Sequence, residues 1–151
     1  MSVQAPAKPT GQFAAVEQSG LNLSGSVGSA GTAKKAELIA KNVSIGWLGQ
    51  DGGEWCVVTS QDAAVSIEPY IENNVLYYRN SADTSRYLSV SNNGYVGFYN
   101  KHGSTGWTYD DKTEILTSLF ANAQLSYWST DNGYIYANAD SGYTPLLVRF
   151  R

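Results

Sequence analysis

Three glycine-containing turn signals, each flanked by alternating apolar residues, constrain the fold of this chain most. They read Asp51-Gly52-Gly53, Asn92-Asn93-Gly94 and Asp131-Asn132-Gly133, and their last glycines stand 41 and 39 residues apart. Asn-Gly and Asp-Gly pairs between alternating runs predict tight hairpins, because such turns need residues with positive φ. A fixed period of this size is typical of a repeated supersecondary unit. We therefore expect three similar units, with Gly53, Gly94 and Gly133 in equivalent positions.

The chain from Lys34 onward has the pattern of an all-β protein. Short strands with turn signals at regular spacing are typical of β-barrels and β-sandwiches, and the threefold repetition favours a barrel of three repeats. The segment 33–40 stays open between helix and strand, because it combines Ala, Lys and Glu. The candidate strands are residues 36–40, 43–48, 54–59, 64–68, 75–79, 86–91, 95–99, 107–109, 114–119, 124–128, 134–138 and 146–150.

Residues 1–33 differ in composition from the rest of the chain. They contain no Tyr or Trp, and they combine Pro6, Pro9 and Gly11 with a run rich in Ser, Gly and Ala from residue 19 to residue 32. Such composition is typical of an arm or linker. We expect an N-terminal arm at 1–33 and one domain at 34–151. Whether the arm packs on its own domain or on a neighbouring chain stays open.

The stretch 86–96 resembles a known structural unit. Its sequence, RYLSVSNNGYV, is similar to the strand–turn–strand unit of β-trefoil domains in the fascin-like and ricin-B-like families. The resemblance implies a β-trefoil-like barrel of three repeats of about 40 residues, a scaffold used for glycan binding, protease inhibition and toxin attachment. The Gln-x-Trp motif of ricin-B-type lectins does not occur, and Trp107 stands only loosely in its place. A shared fold alone assigns no function.

Charge and cysteine content exclude several classes of partner. Charged residues make up 15% of the chain and the formal net charge is −3, so we expect neither a nucleic-acid partner nor membrane insertion. Cys56, the only cysteine, cannot form an intrachain disulfide, and we interpret it as a buried thiol. The first residues lack the blocks of a signal peptide, which predicts a cytoplasmic location or release without the usual secretory route.

The residue types that carry catalysis are sparse and badly placed. His102 is the only histidine and stands in a polar, turn-like stretch. The densest acidic group, Asp110, Asp111 and Glu114, reads as a solvated turn, since neighbouring strand residues point to opposite faces. No Cys/His cluster has the spacing of metal ligands. We therefore predict a protein that is not an enzyme and that needs no cofactor or metal.

Aromatic and amide side chains without charge give the positive functional signal. Tyr and Trp offer an apolar face with a polar tip, and Asn adapts its hydrogen bonding, which suits the C–H faces and hydroxyls of sugars. The first unit lacks Asn-Gly-Tyr, so we expect its site to be degenerate. We predict a lectin-like module that binds glycans or glycoconjugates. Its candidate ligand-binding residues are Tyr95, Tyr99, Asn100, Trp107, Tyr127, Trp128, Asp131, Tyr134, Asn138 and Tyr143.

Two alternatives remain open at this point. The first is a structural or attachment subunit of an oligomeric assembly, such as a virion decoration protein or a filament protomer. In that case residues 1–33 would add a strand to a neighbouring chain, and the location would be on the virion or filament. The second is an inhibitor or toxin that uses the loops of the same scaffold.

Overall fold

A computed structural model describes residues 28–100, 106–128 and 133–151 of this chain, and within these ranges the fold is all-β. Most of the predicted arm, His102 and Asp131 lie outside the described residues. The segment 33–40 contributes a strand and no helix. The described strands are β1 (Ser29–Ala30), β2 (Ala36–Ala40), β3 (Val43–Gln50), β4 (Cys56–Thr59), β5 (Ile67–Glu72), β6 (Val75–Asn80), β7 (Asp83–Val90), β8 (Val96–Tyr99), β9 (Trp107–Asp110), β10 (Ile115–Ser118), β11 (Ala123–Tyr127), β12 (Ile135–Ala137), β13 (Thr144–Pro145) and β14 (Leu147–Phe150).

The strands form two antiparallel sheets. The smaller sheet has the order β14-β2-β3-β4. The larger sheet runs β1-β5-β6-β9-β10-β11-β12, with β7 and β8 attached beside β6 and β13 beside β11. Neither sheet closes into a barrel, so the all-β prediction is confirmed but the single closed sheet that the repeats predicted is not found.

The two sheets are instead joined at seams by isolated backbone hydrogen bonds. At one seam, Lys34 and Ile67 exchange N–H···O bonds of 2.8 Å in each direction. At another, the N–H of Val148 donates to the carbonyl of Glu114 at 2.8 Å. The sheets stay separate because these seams hold one or two bonds each, whereas a ladder needs several consecutive residues in register.

Inward-facing residues of both sheets build one core. The largest fully buried side chains include Leu38 and Leu48 of the smaller sheet and Leu88, Phe98 and Trp107 of the larger one. Cys56 is also fully buried, which confirms the buried thiol predicted from the sequence, and burial raises the pKa of this thiol well above its ordinary value. The alternation of buried and partly exposed residues in β5 and β6 is that of strands with one face on the core.

The end of the predicted arm pairs with its own domain. Ser29 and Ala30 of β1 lie opposite Ile71 and Tyr70 of β5 in antiparallel register. The N–H of Gly31 donates to the carbonyl of Pro69 at 2.8 Å. Residues 28–34 are thereby held in the same chain, along the outer edge of β5.

Candidate ligand-binding site

Three backbone hydrogen bonds link the three predicted turns in a closed cycle. In each bond an N–H of one unit donates to a carbonyl at the turn of another, so that every unit donates once and accepts once. The acceptor in each unit stands four residues before the donor of the same unit. The bonds run from Phe98 to Glu54, from Ala137 to Gly94 and from Val58 to Gly133, with N···O distances of 2.8, 3.0 and 2.9 Å.

This cycle corrects the register expected from the glycine spacing. Glu54, and not Gly53, occupies the position that corresponds to Gly94 and Gly133. Gly94 and Gly133 have the positive φ that was predicted, 86° and 81°, whereas Gly53 is not among the described residues with positive φ. In the first turn the side chain of Asp51 stabilises the turn instead, because its Oδ1 accepts a hydrogen bond of 2.8 Å from the N–H of Gly53.

The residue after each acceptor is aromatic, and the cycle brings the three rings together. The rings of Trp55 and Tyr95 stack at 5.2 Å with an interplanar angle of 20°. Tyr134 meets Trp55 edge to face at 5.7 Å and Tyr95 at 6.3 Å. Such aromatic pairs contribute about 0.5–1.5 kcal/mol each beyond the apolar area that they bury. The three turns therefore converge on a shared aromatic contact.

The aromatic contact continues into the third unit. Tyr95 packs against Tyr136 at 4.8 Å, Tyr136 against Tyr143 at 5.1 Å, and Tyr143 against Trp128 at 4.9 Å. We call these four side chains, together with Trp55 and Tyr134, the aromatic path. Its two terminal tryptophans are exposed, Trp55 by 41% and Trp128 by 38%. These are two of the four large apolar side chains that are exposed among the described residues.

The loop 138–143 holds the Trp128 end of the path. The side-chain oxygen of Asn138 accepts the N–H of Asp140 at 2.8 Å, and the carbonyl of Asp140 accepts the N–H of Tyr143 at 3.2 Å. Gly142 has φ 99°, and a Cβ added there would lie 3.0 Å from Cη2 of Trp128. Because only glycine permits both this conformation and this approach, the loop fits closely against the indole.

The predicted site residues fall into three groups. Tyr95, Tyr134, Trp128 and Tyr143 belong to the aromatic path, and Asn138 positions the loop beside it. Tyr99 and Asn100 lie next to the path: the hydroxyl of Tyr99 donates to the carbonyl of Tyr95 at 3.4 Å, while Asn100 is exposed. Tyr127 packs on the core and Trp107 is fully buried, whereas Asp131 lies outside the described residues.

Trp107 is thus a core residue and offers no accessible face. Its ring is 0% exposed, and its Nε1–H donates to the carbonyl of Leu88 at 2.8 Å. Its polar group is therefore satisfied inside the protein, as is usual for a buried Trp. The sequence could not separate it from Trp128, since both stand at strand ends among aromatic and polar residues.

Two members of the path, Trp55 and Tyr136, were missed by the sequence-based prediction. Trp55 stands directly after the turn of the first unit, as Tyr95 and Tyr134 do after theirs. This shared position could have identified Trp55 as a site residue. It was left out because the first unit lacks the Asn-Gly-Tyr sequence of the other two. Tyr136 is buried in β12 and gave no distinguishing signal.

Charge plays a small part around the aromatic path. An exposed ion pair joins Arg86 to Glu54, beside Trp55, at 3.1 Å. Elsewhere, the carboxylates with a shifted pKa are shifted downward by their partners: Ser44 and Arg151 at Glu37, Ser85 at Asp83, and Arg149 at Glu114. Within the described ranges, no group of three His, Cys, Asp or Glu residues could hold a metal ion.

Comparisons with protein-family models, with curated proteins and with solved structures return no match to this chain. No helix that is long and apolar enough to cross a membrane occurs in the part of the chain that the structure describes. The function therefore has to be argued from the geometry of the site.

Proposed function

We propose that the three units are the lobes of a β-trefoil. Two observations support this proposal: the closed cycle of hydrogen bonds at the turns, and the order in which six strands meet. Antiparallel pairing links β5 to β6, β6 to β9, β9 to β10 and β14 to β2. The seam bonds link Glu114, which directly precedes β10, to β14, and Lys34, two residues before β2, to β5. In this arrangement β2, β5, β6, β9, β10 and β14 follow one another around a ring.

On this scaffold the protein acts as a non-enzymatic, lectin-like module that binds carbohydrate through the aromatic path. The observation that carries this function is the continuous set of six rings that ends in two exposed tryptophans. Aromatic faces bind the C–H faces of pyranose rings, while amide and backbone groups nearby bind the hydroxyls. A low surface charge suits a neutral ligand better than an anionic or cationic one.

Catalysis is not part of this function. The carboxylates whose pKa is shifted are held in the charged form by hydrogen bonds and arginines, which is the opposite of what a general acid needs. The raised pKa values belong to groups such as Tyr78, Tyr109 and Cys56, whose burial keeps them neutral and away from solvent.

The alternative function, assembly through the N-terminal arm, rests on residues 1–33, of which 1–27 are outside the described ranges. The described end of the arm pairs with β5 of its own chain. This contact occupies the edge of β5, so an arm from a neighbouring chain could not pair with that edge while β1 lies on it. It therefore favours the carbohydrate-binding function for the domain itself.

A glycan array probed with the labelled protein tests the proposed function. We expect the parent protein to be retained by a defined set of glycans, and the double variant W55A/W128A to lose at least about tenfold in affinity. Phe120→Ala is the matched control, because Phe120 is 42% exposed, much as the two tryptophans are, and is not one of the six side chains of the aromatic path. It should bind as the parent does. If no glycan retains the parent protein, the carbohydrate-binding function is wrong.

A further inference from the structure

The third turn is longer than the other two. The last facing pair before the first turn is Gln50–Cys56, and before the second it is Val90–Val96, so five residues form each of these turns. In the third unit the corresponding pair is Tyr127–Ile135. Seven residues therefore separate β11 from β12, which is two more than in the other units.

The longer third turn also differs from the other two in the residue at its first position. In the shorter turns this position is Asp51 or Ser91, whose backbone N–H donates to the carbonyl of the turn aromatic, Trp55 or Tyr95, at 2.9 Å in both cases. In the third turn the same position is Trp128. Its side chain is 38% exposed and contacts the loop 138–143 through Tyr143 and Gly142. The third unit alone thus carries a tryptophan at this position with a loop built against it.

The two exposed tryptophans have similar exposed fractions, 41% and 38%, but differ in which part of the indole is covered. Trp55 has one face covered by Tyr95, which is nearly parallel to it, and it is also contacted by Tyr134. Trp128 meets Tyr143 at 90°, and none of the described rings lies parallel to it. A sugar that stacks face to face on an indole therefore meets less competition at Trp128.

We infer that Trp128, held by Tyr143 and Gly142, forms the principal sugar-stacking site, and that it binds a neutral pyranose residue of a glycan. This inference rests on the proposed carbohydrate-binding function and specifies its site and ligand class. We expect a neutral sugar because the protein is negatively charged near the site and as a whole. The exposed Asp140 belongs to the loop that supports Trp128, and the chain has a net charge of −3. Both charges disfavour the binding of carboxylated or sulfated sugars. Rigid support of the ring lowers the entropy lost on binding.

Affinity measurements on single variants test this inference. The probes are immobilised neutral oligosaccharides, with sialylated and sulfated oligosaccharides on the same surface. We expect Trp128→Ala to lower affinity for the neutral probes by at least about tenfold, with a melting temperature close to that of the parent. Trp55→Ala, which removes the other exposed tryptophan of the aromatic path, should lower affinity by a smaller factor than Trp128→Ala, and Phe120→Ala, outside the path, should retain binding within about threefold. Trp128→Phe keeps an aromatic face and should recover part of the affinity.

Gly142→Ala provides a second measurement that leaves every aromatic side chain in place. Its Cβ would press on Trp128, and its φ of 99° disfavours alanine, so the ring should shift and neutral glycans should bind more weakly. Equal binding by Trp128→Ala and the parent overturns the inference, as does preferential binding of the sialylated or sulfated probes. In both cases glycan binding itself persists, so the proposed function survives. If no probe binds the parent, the proposed function fails and the inference fails with it.

Discussion

The turns of the first and third units have the same place in the fold but differ at their first residue. This residue closes the turn in the first unit and is an exposed tryptophan in the third. Both turns place an aromatic side chain, Trp55 or Tyr134, directly after the carbonyl that joins the hydrogen-bond cycle. The first turn is tight and is closed by the N–H of Asp51 on the carbonyl of Trp55. The third turn is two residues longer and begins with the exposed Trp128.

The features that the three turns share account for the stability of the fold, whereas the feature found in one turn only indicates where a ligand binds. The cycle of hydrogen bonds and the contact of Trp55, Tyr95 and Tyr134 recur in all three units, so they serve stability in each. A tryptophan occurs at the first position of the turn in one unit only, since the other two have Asp51 and Ser91 there. A feature that stability does not require in the other two units is the better candidate for function.

The largest expected effect separates a core tryptophan from an exposed one. Trp107→Ala should lower the free energy of unfolding by about 3–5 kcal/mol, because it removes a fully buried ring and leaves the carbonyl of Leu88 without its donor. Trp128→Ala should lower it by less than about 1 kcal/mol, as is usual for exposed positions. Urea unfolding followed by circular dichroism measures both.

If Trp107→Ala does not fold, Trp107→Phe supplies the same comparison, because it keeps an apolar ring but loses the Nε1–H. It should still be clearly less stable than Trp128→Phe. Equal losses for the two positions would contradict the assignment of Trp107 to the core and of Trp128 to the surface.

An intermediate effect separates the first turn from the other two. Gly94→Ala and Gly133→Ala should each cost about 1–2 kcal/mol, because alanine is strained at φ values of 86° and 81°. At Gly94 nothing lies within 4 Å of an added Cβ, so the cost there comes from the backbone alone. Gly53→Ala is the matched control and should be close to neutral. Thermal melts of the three variants check this, and a similar loss for all three would return Gly53 to the position that we assign to Glu54.

Local sequence signals predicted the all-β class and the positions of most strands. The candidate strand 36–40 coincides with β2, and 75–79 and 107–109 differ from β6 and β9 by one residue. The candidate strand 64–68 ended before Pro69, yet β5 continues to Glu72. Proline is tolerated there because the strand needs only its carbonyl, which accepts the N–H of Gly31, the residue after β1. The two-residue strands β1 and β13 could not be predicted, because they have no periodicity of their own.

The candidate site was less predictable, for a geometric reason. Successive residues of a strand point to opposite faces, so an error of one residue exchanges buried and exposed side chains. Nothing in the residues around Trp107 indicates that β9 turns it inward, with Leu88 as its partner. The proximity of Trp55 to Tyr95 and Tyr134 likewise depends on contacts between units that are about 40 residues apart in the chain.

The smallest expected effect concerns the ion pair between Glu114 and Arg149, which lies at the seam between the two sheets. Changing this pair should affect the stability of the protein and not its glycan binding. Arg149 donates to both carboxylate oxygens of Glu114, at 2.7 and 2.9 Å, and holds the pKa of that carboxyl below its ordinary value of 4.5. The native state thus keeps Glu114 charged to lower pH than the unfolded chain does. The stabilisation is complete above pH 4.5 and is lost as the pH falls through the native pKa.

Glu114→Gln should therefore lower stability at pH 7 by less than about 1 kcal/mol, since Arg149 is partly exposed and solvent screens the pair. Below the native pKa, where the parent carboxyl is protonated, the two proteins should be equally stable. A double-mutant cycle with Arg149→Gln, measured by urea unfolding at pH 7 and at acid pH, isolates the pair from other effects. Glycan binding should not change in any of these variants. A loss of glycan binding with Glu114→Gln would mean that the Glu114–Arg149 pair contributes to the binding site. The functional difference between the first and third units would then extend beyond their turns.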